Sequence, residues 1–268
     1  MANERPSASI RGAGEISGGR YRRLSIFGAG EVLGDIEAER LRVIGSGEIH
    51  GRADVTRLTV LGSGEIAADL VAGAVHATGS FEVGGELRAE TLTVRGACDI
   101  DGRILADAVS MFGALECKDR IETATFRSRG AIDVDGLLSG DTVEIHLGGN
   151  VSRVGEIGGE RIEVWRGAFG KTNPVLQGLS SLLTWGSRRG RLEADGIEAD
   201  EIHLENTRAK VVRGRNVTVG VGCRIDEVEY AEGLTVHPSA HVTTKAKRSR
   251  RADRGATANG SEPIGLLG

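Results

Sequence analysis

The sequence predicts an all-β fold, a parallel β-helix (solenoid) with about 17 residues per turn and three short strands per turn. Three observations carry this. Seven consecutive 17-residue units, starting at Leu24, Leu41, Leu58, Val75, Leu92, Val109 and Phe126, place a glycine at their fifth position without a gap. Apolar residues recur in phase within the units at positions one and three, then nine, then thirteen and fifteen, which is the period-two alternation of short strands separated by glycine corners. Aromatic residues are only 3% of the chain while glycine supplies 41 of 268 residues, a composition that suits a narrow interior filled by Val, Ile, Leu and Ala.

A unit this short cannot bury its own apolar face, so each must lean on the turns before and after it. Position three carries Ile26, Val43, Val60, Ala77, Val94, Met111 and Ser128, and position nine carries Val32, Ile49, Ile66, Val83, Ile100, Cys117 and Val134. Position thirteen is Ile36, Ala53, Leu70, Leu87, Ile104, Ile121 and Leu138. A helix would need apolar residues three and four apart and would carry two or three glycines per unit, each costing about 1 kcal/mol against alanine. Strands are the consistent solution, with equivalent residues of successive turns about 4.8 Å apart.

Taken in order, residues 1–7 form an N-terminal tail. The unit "ASIRGAGEISGGRYRR" is one residue shorter than the rest, and "VEIHLGGNVSRVGEIGGER" from Val143 is two longer, so the main β-helix is expected over 8–161. The register is then lost, and 162–190 is expected as an insertion in which Leu176, Leu179 and Leu183, with Trp185, make a short apolar helix or flap after Pro174. Such a segment is too short to span a bilayer, which takes roughly 20 apolar residues. Alternation resumes over 191–244 as a second group of turns. Residues 245–268 follow as a disordered basic tail, with Lys245, Lys247, Arg248, Arg250, Arg251 and Arg254 against Asp253 and Glu262. The tail carries +4 of a net charge of −4, which leaves −8 on the body. Lys245, Lys247, Arg248, Arg250 and Arg251 are the candidates for contact with an anionic surface.

The repeat accounts for the motifs that suggest an enzyme. "GAGEVLG" at Gly28 and "GSGEIHG" at Gly45 look like dinucleotide loops, yet they recur in the repeat and precede no helix. "GKT" at Gly170 lacks the leading glycine of a phosphate loop, since Trp165 stands there. The eighth position of every unit is acidic: Glu31, Glu48, Glu65, Glu82, Asp99, Glu116 and Asp133. Carboxylates about 4.8 Å apart repel by roughly 1 kcal/mol in water, whereas burying one large aliphatic side chain gains about 1.5 to 3 kcal/mol. The column is therefore tolerable as a solvated face, and a glycosidase pair would need unequal environments and a cleft. The six histidines fall at different phases, and Cys98, Cys117 and Cys223 match no ligand spacing. No catalytic, cofactor or metal residue is expected. With no apolar leader or transmembrane stretch in the sequence given, a reduced cytoplasmic protein is expected.

The "GSGEI" corner, the "RVGEIGGERIEV" segment near Val154, the "ADEIHLENT" segment near Asp200 and the ending "RIDEVEYAEGLTVHPSA" resemble the bactofilins, the polymer-forming bacterial cytoskeletal proteins, and in particular the longer bactofilin-like proteins of Gram-positive bacteria. The resemblance covers roughly residues 8–242. It implies a right-handed β-helix that polymerises end to end without nucleotide and scaffolds cell shape, envelope or motility-related assemblies. Its main partner would be itself, with other envelope or cytoskeletal proteins and the inner face of the membrane as further contacts. Neither a nucleic acid nor a small-molecule substrate is implied. Two features depart from the family pattern, the insertion with its second group of turns and the lack of an apolar N-terminal membrane-contact peptide.

Independently of the resemblance, a β-helix ends in open strand edges, and unpaired backbone groups there are a template for another chain. The first turn, around Ile10, Ile16 and Tyr21, is therefore the expected polymer contact. The alternatives are a monomeric docking scaffold, or a β-helix carbohydrate-active or transferase enzyme. A 17-residue period and the absence of long cleft-forming loops disfavour the enzymes.

Overall fold

A computed structural model describes residues 5–167 and 190–248. Its strands are β1 (Ser7–Ile49), β2 (Ala53–Ile66), β3 (Leu70–Val83), β4 (Leu87–Ile100), β5 (Ile104–Cys117), β6 (Ile121–Leu147), β7 (Val151–Arg166), β8 (Arg191–Leu204), β9 (Thr207–Val219), β10 (Arg224–Val236) and β11 (His241–Lys247). All neighbours pair in parallel and in sequence order, as one sheet wound into a β-solenoid. From β1 to β6 each residue pairs with the one 17 places later, as in Leu41↔Leu58, Leu58↔Val75 and Val75↔Leu92.

Each regular turn bends three times. One corner is the fifth-position glycine, with φ between +85° and +138° at Gly12, Gly28, Gly45, Gly62, Gly79, Gly96, Gly113 and Gly130. A second is the three-residue break between strands, and the third is the residue left out of the ladder between Val55 and Arg57 and its equivalents. At the glycine corner the backbones approach too closely for any side chain. A Cβ on Gly79 would lie 2.0 Å from the Gly62 carbonyl oxygen, and one on Gly130 would lie 1.9 Å from that of Gly113.

The interior is filled by pairs of inward positions on each side of the turn. The positions read from the sequence are there: Leu58, Val60, Ile66 and Leu70 are all buried. Position seven also points inward, as Gly30, Gly47, Gly64, Phe81, Cys98, Leu115 and Ile132. Volumes compensate across the interior. Where position seven is glycine, position three is branched, so that a Cβ on Gly47 would sit 2.8 Å from Val43. Where position seven becomes Phe81, position three shrinks to Ala77, and Phe126 is followed by Ser128. A narrow interior needs this exchange, because overpacking costs as much as a void.

The regular turn changes after β6. Pairing runs Asp133↔Arg153 and then Leu138↔Ile157, so this turn is lengthened to 20 and then 19 residues. Ser152 enters the core and its Oγ accepts the Ile132 N–H at 3.2 Å. The expected boundaries of the main helix, 161 and 191, do not interrupt the stack. β7 continues to Arg166 and β8 pairs directly upon it, as in Ile162↔Ile202. The described chain resumes at Gly190, on which an added Cβ would meet the Gly148 carbonyl oxygen at 1.9 Å. Asn206 then takes the left-handed conformation, φ 47°, and its Nδ2 donates to the Gly190 carbonyl at 3.2 Å. Among non-glycine residues asparagine accepts that geometry most readily. The later turns are 15 residues (Leu192↔Thr207), 16 to 17 (Arg208↔Arg224, Val217↔Leu234) and 17 (Val228↔Lys245).

The contact and the conformation at a glycine corner can be separated. Gly34, φ +103°, has nothing within 4 Å of an added Cβ, whereas Gly79, φ +121°, has the Gly62 carbonyl. Gly34→Ala is expected to cost about 1–2 kcal/mol from backbone strain alone. Gly79→Ala should cost roughly 2 kcal/mol more, since backbone must move. Thermal unfolding of the two variants checks this, and equal midpoints would show that the close approach carries no weight.

Candidate functional site

The fold concentrates its chemistry in three places: the acidic column, the groove where that column changes sign, and the two ends of the stack. Strand register turns the eighth-position acids into a continuous ladder, Glu48, Glu65, Glu82, Asp99, Glu116 and Asp133. Most are exposed; Glu48 and Asp133 are half-buried. The next residue in the ladder is Arg153, followed by Glu193 and Arg208. Arg153 reaches Asp133 at 3.5 Å and Glu193 at 3.9 Å, and Arg208 reaches Glu193 at 3.7 Å. An open groove runs beside these residues, and Asp195 within it pairs with Lys210 at 2.7 Å. Six of the charged side chains there, Asp133, Arg153, Glu193, Asp195, Arg208 and Lys210, pair with one another along the wall, and the groove is open.

Near the N-terminal end, Glu31, Glu48 and His50 bring three potential metal-ligand atoms within 4.8 Å of one another. All three are solvated to some degree, and His50 Nε2 lies 3.1 Å from Glu31 and 3.5 Å from Glu48, so the cluster is accounted for as a histidine between two carboxylates. The other histidines do not converge on it. His203 stacks on Trp165 with ring centroids 4.1 Å apart, and His146 is held below its ordinary pKa by burial and by nearby Arg129.

The three cysteines lie inside the wall. Burial pushes the Cys117 and Cys223 thiols up to about 11 and raises Cys98 further. Each is thus a protonated core residue, the reverse of the lowered thiol pKa that a nucleophile requires.

The ends are the distinctive feature. In a sequential stack, the first turn of β1 and the strand β11 have a pairing neighbour on one side only. The apolar residues that pack on the core without being buried are Ala8, Ile16, Tyr21, Ala89, Tyr230, Leu234, Val236, Ala240 and Val242. All but Ala89 lie in the first or the last turns. Ile16 and Tyr21 therefore sit where the sequence places them, with Tyr21 Oη donating to the Ser17 carbonyl at 2.7 Å. Ile10 requires a correction. It is only 7% exposed, and its side chain lies close against the backbones of Gly14 and Gly30, so it is core within the single chain. A charge at Ile10 would disturb the fold itself.

The half-buried C-terminal residues Leu234, Val236 and Val242 are not singled out by the sequence, although "LTV" and "HVTT" alternate like the earlier turns. The basic tail expected from residue 245 starts later than composition suggests. Lys245 and Lys247 belong to β11, and Arg248 pairs with Glu229 at 2.5 Å, so Arg248 is committed to the wall. Leu176, Leu179, Leu183, Trp185, Arg250 and Arg251 lie outside the described residues. A short apolar column missed from sequence lies at the outward fourth position, where exposed Phe27 and Leu61 flank half-buried Ile44 before Thr78 and Arg95 interrupt them, and Phe112 beyond is 60% exposed. Among the described residues no helix is long and apolar enough to cross a membrane.

No family model and no solved structure matches the chain. Among curated proteins it is similar to the uncharacterized protein YhbF of Bacillus subtilis, 49% identical over 238 residues that cover 89% of this chain and 95% of that protein. It is also similar to the uncharacterized protein YhbE of the same organism, 50% identical over 56 residues, which are 21% of this chain and 24% of YhbE.

The acidic ladder makes a measurable prediction. Glu82 has an acid on both sides in the ladder, so Glu82→Gln should raise stability by a few tenths of a kcal/mol at low salt. The gain should vanish by about 1 M salt, where the screening length is about 3 Å. Urea unfolding at two ionic strengths tests it; a loss of stability at low salt would mean that the column is held by a cation or a partner charge.

Proposed function

We propose that this chain, which belongs to the same family as the Bacillus subtilis protein YhbF, is a structural protein that self-assembles into filaments by stacking its solenoids end to end. The observation that carries this is the placement of the half-buried apolar residues. Among the described residues, all the half-buried apolar residues packed on the core except Ala89 lie in the first or the last turns, where Ile16 and Tyr21 on one side and Leu234, Val236 and Val242 on the other are left partly in water. Burying large aliphatic residues of this kind returns about 1.5 to 3 kcal/mol each when complete. A second copy supplies both the missing apolar cover and the missing backbone partners.

The bactofilin resemblance of the repeat and the C-terminal segments supports the same conclusion, and a β-solenoid of 17-residue turns is compatible with it. Stacking of this kind consumes no nucleotide and uses no cofactor, substrate or nucleic acid. The protein is a non-catalytic cytoplasmic scaffold in this proposal, acting at or near the inner face of the membrane and carrying other envelope or cytoskeletal proteins on its sides. A monomeric docking scaffold is the competing possibility, favoured by the short apolar column at the outward fourth position.

Negative-stain electron microscopy of the full-length protein without nucleotide, at two salt concentrations, separates the two. Thin filaments are expected, and uniform short rods of single-chain length would overturn filament formation. Ile16→Glu, which adds a charge to a half-exposed end residue, should shorten the filaments while leaving the far-ultraviolet circular dichroism unchanged. Filaments of unchanged length would remove the first turn from the contact.

A further inference from the structure

The two ends of the stack are not equivalent, and the difference lies in two inward columns, the thirteenth position, which ends in Lys245, and the fifteenth, where Lys247 pairs with the half-buried Tyr230. The thirteenth position forms a continuous line through the core, Leu138↔Ile157↔Ile197↔Val212↔Val228, and each of these residues is at most 1% exposed. The next residue in register is Lys245, paired with Val228 in β11. Paired residues of a parallel ladder leave the wall on the same side. Lys245 therefore starts toward the core, on the last turn, where no further turn of the chain described covers it. It is exposed, and it makes no ion pair among the described residues. At the other end, Ala8, Ile10 and Ile16 continue the core without an inward charge.

We infer that Lys245 is a stop built into the C-terminal end, which makes that end the weaker joint in assembly and limits filament length. The inference rests on the end-to-end reading above. Another copy stacked on β11 would enclose the lysine stem in the core and strip its ammonium of water with no carboxylate provided, which is unfavourable by far more than the apolar contact around it returns. The long stem can lead the charge sideways to the rim, but only by displacing the packing beside Val242. An inward-pointing charge on a terminal strand is a known means of keeping a sheet edge from pairing. Here it stands amid Tyr230, Leu234, Val236 and Val242, an apolar surface that would otherwise resemble the N-terminal one.

The test compares filament lengths of full-length wild type, Lys245→Leu and Lys245→Glu by electron microscopy and sedimentation at low and high salt. Because Lys245 is exposed in the single chain, all three should fold alike. Lys245→Leu is expected to tighten the C-terminal joint at least about tenfold, which in simple end-to-end growth lengthens filaments about threefold. Lys245→Glu should remain as short as wild type, since either charge is stripped of water on stacking. If both variants lengthen, general repulsion between basic ends sets the length and the inward stop is wrong. If wild type and variants assemble to the same length, the stop is wrong and end-to-end assembly stands. If none of the three assembles, the end-to-end reading itself falls, and the stop with it.

Discussion

The contact on which the rest of this structure depends is between the backbones of the corner glycines. Each carbonyl oxygen in that column sits where the next residue's Cβ would be, at 1.9 to 2.4 Å from Gly28 through Gly130. Only glycine can occupy such a position, and only in a left-handed conformation that other residues avoid. One turn is thereby locked above the next with no freedom to slip, since a slip of one residue would put a Cβ into the contact and turn every inward side chain outward. The 17-residue register of β1 to β6 follows from that lock, and so do the straight core columns.

Columns are the means by which a local choice acquires long-range effect. A position that is apolar once must be apolar in every turn, because its neighbours above and below are its environment. The interior is narrow, so excess volume in one column must be removed from the facing one, as Phe81 beside Ala77 shows. On the outside the same rule stacks like charges, and the acidic ladder persists as long as the turns are regular. It ends at Arg153, in the turn that the bulge lengthens. From Asp133 to Arg208 the ladder alternates in sign and its members pair with each other, before Arg224 follows Arg208 in register. Loss of regularity and neutralisation of the ladder thus occur together.

The sequence made the regular part of this architecture readable because strict periodicity repeats the same evidence seven times. Five of the six inward positions were legible. The seventh position was not, since Gly30, Gly47 and Gly64 stand there in three early turns and a glycine betrays no facing. After Val143 the turns change length from one to the next, and a fixed period no longer finds them, although each still pairs residue by residue with its predecessor. Ile10 reads as a contact of the first turn because no turn precedes it, whereas the structure packs it over the second turn. Lys245 was assigned to a tail by composition. A lysine among threonines looks solvated, and only the ladder partner Val228 reveals that it stands on a core column. Residues that depend on register rather than on composition are the ones that sequence patterns conceal.

An additive stack gives its ends a particular meaning. Interior turns each have two neighbours and terminal turns have one, so the free energy missing at an end is about one interface, whatever the number of turns. A solenoid that stays single must replace that interface with a cap, and one that assembles must leave it unfilled. Among the described residues no helix lies over the first turn, and Ile16 stands there half-buried, so the N-terminal end has the character of an interior turn with one face open. At the other end the last described turn is open too, but two of its inward columns finish in a lysine. Two otherwise similar surfaces are thus made unequal by lysines that the single chain leaves in water, Lys245 and Lys247 both being exposed. Stability of the monomer and readiness to join are set by different residues, and that separation is what lets a repetitive fold keep its core constant while its ends vary.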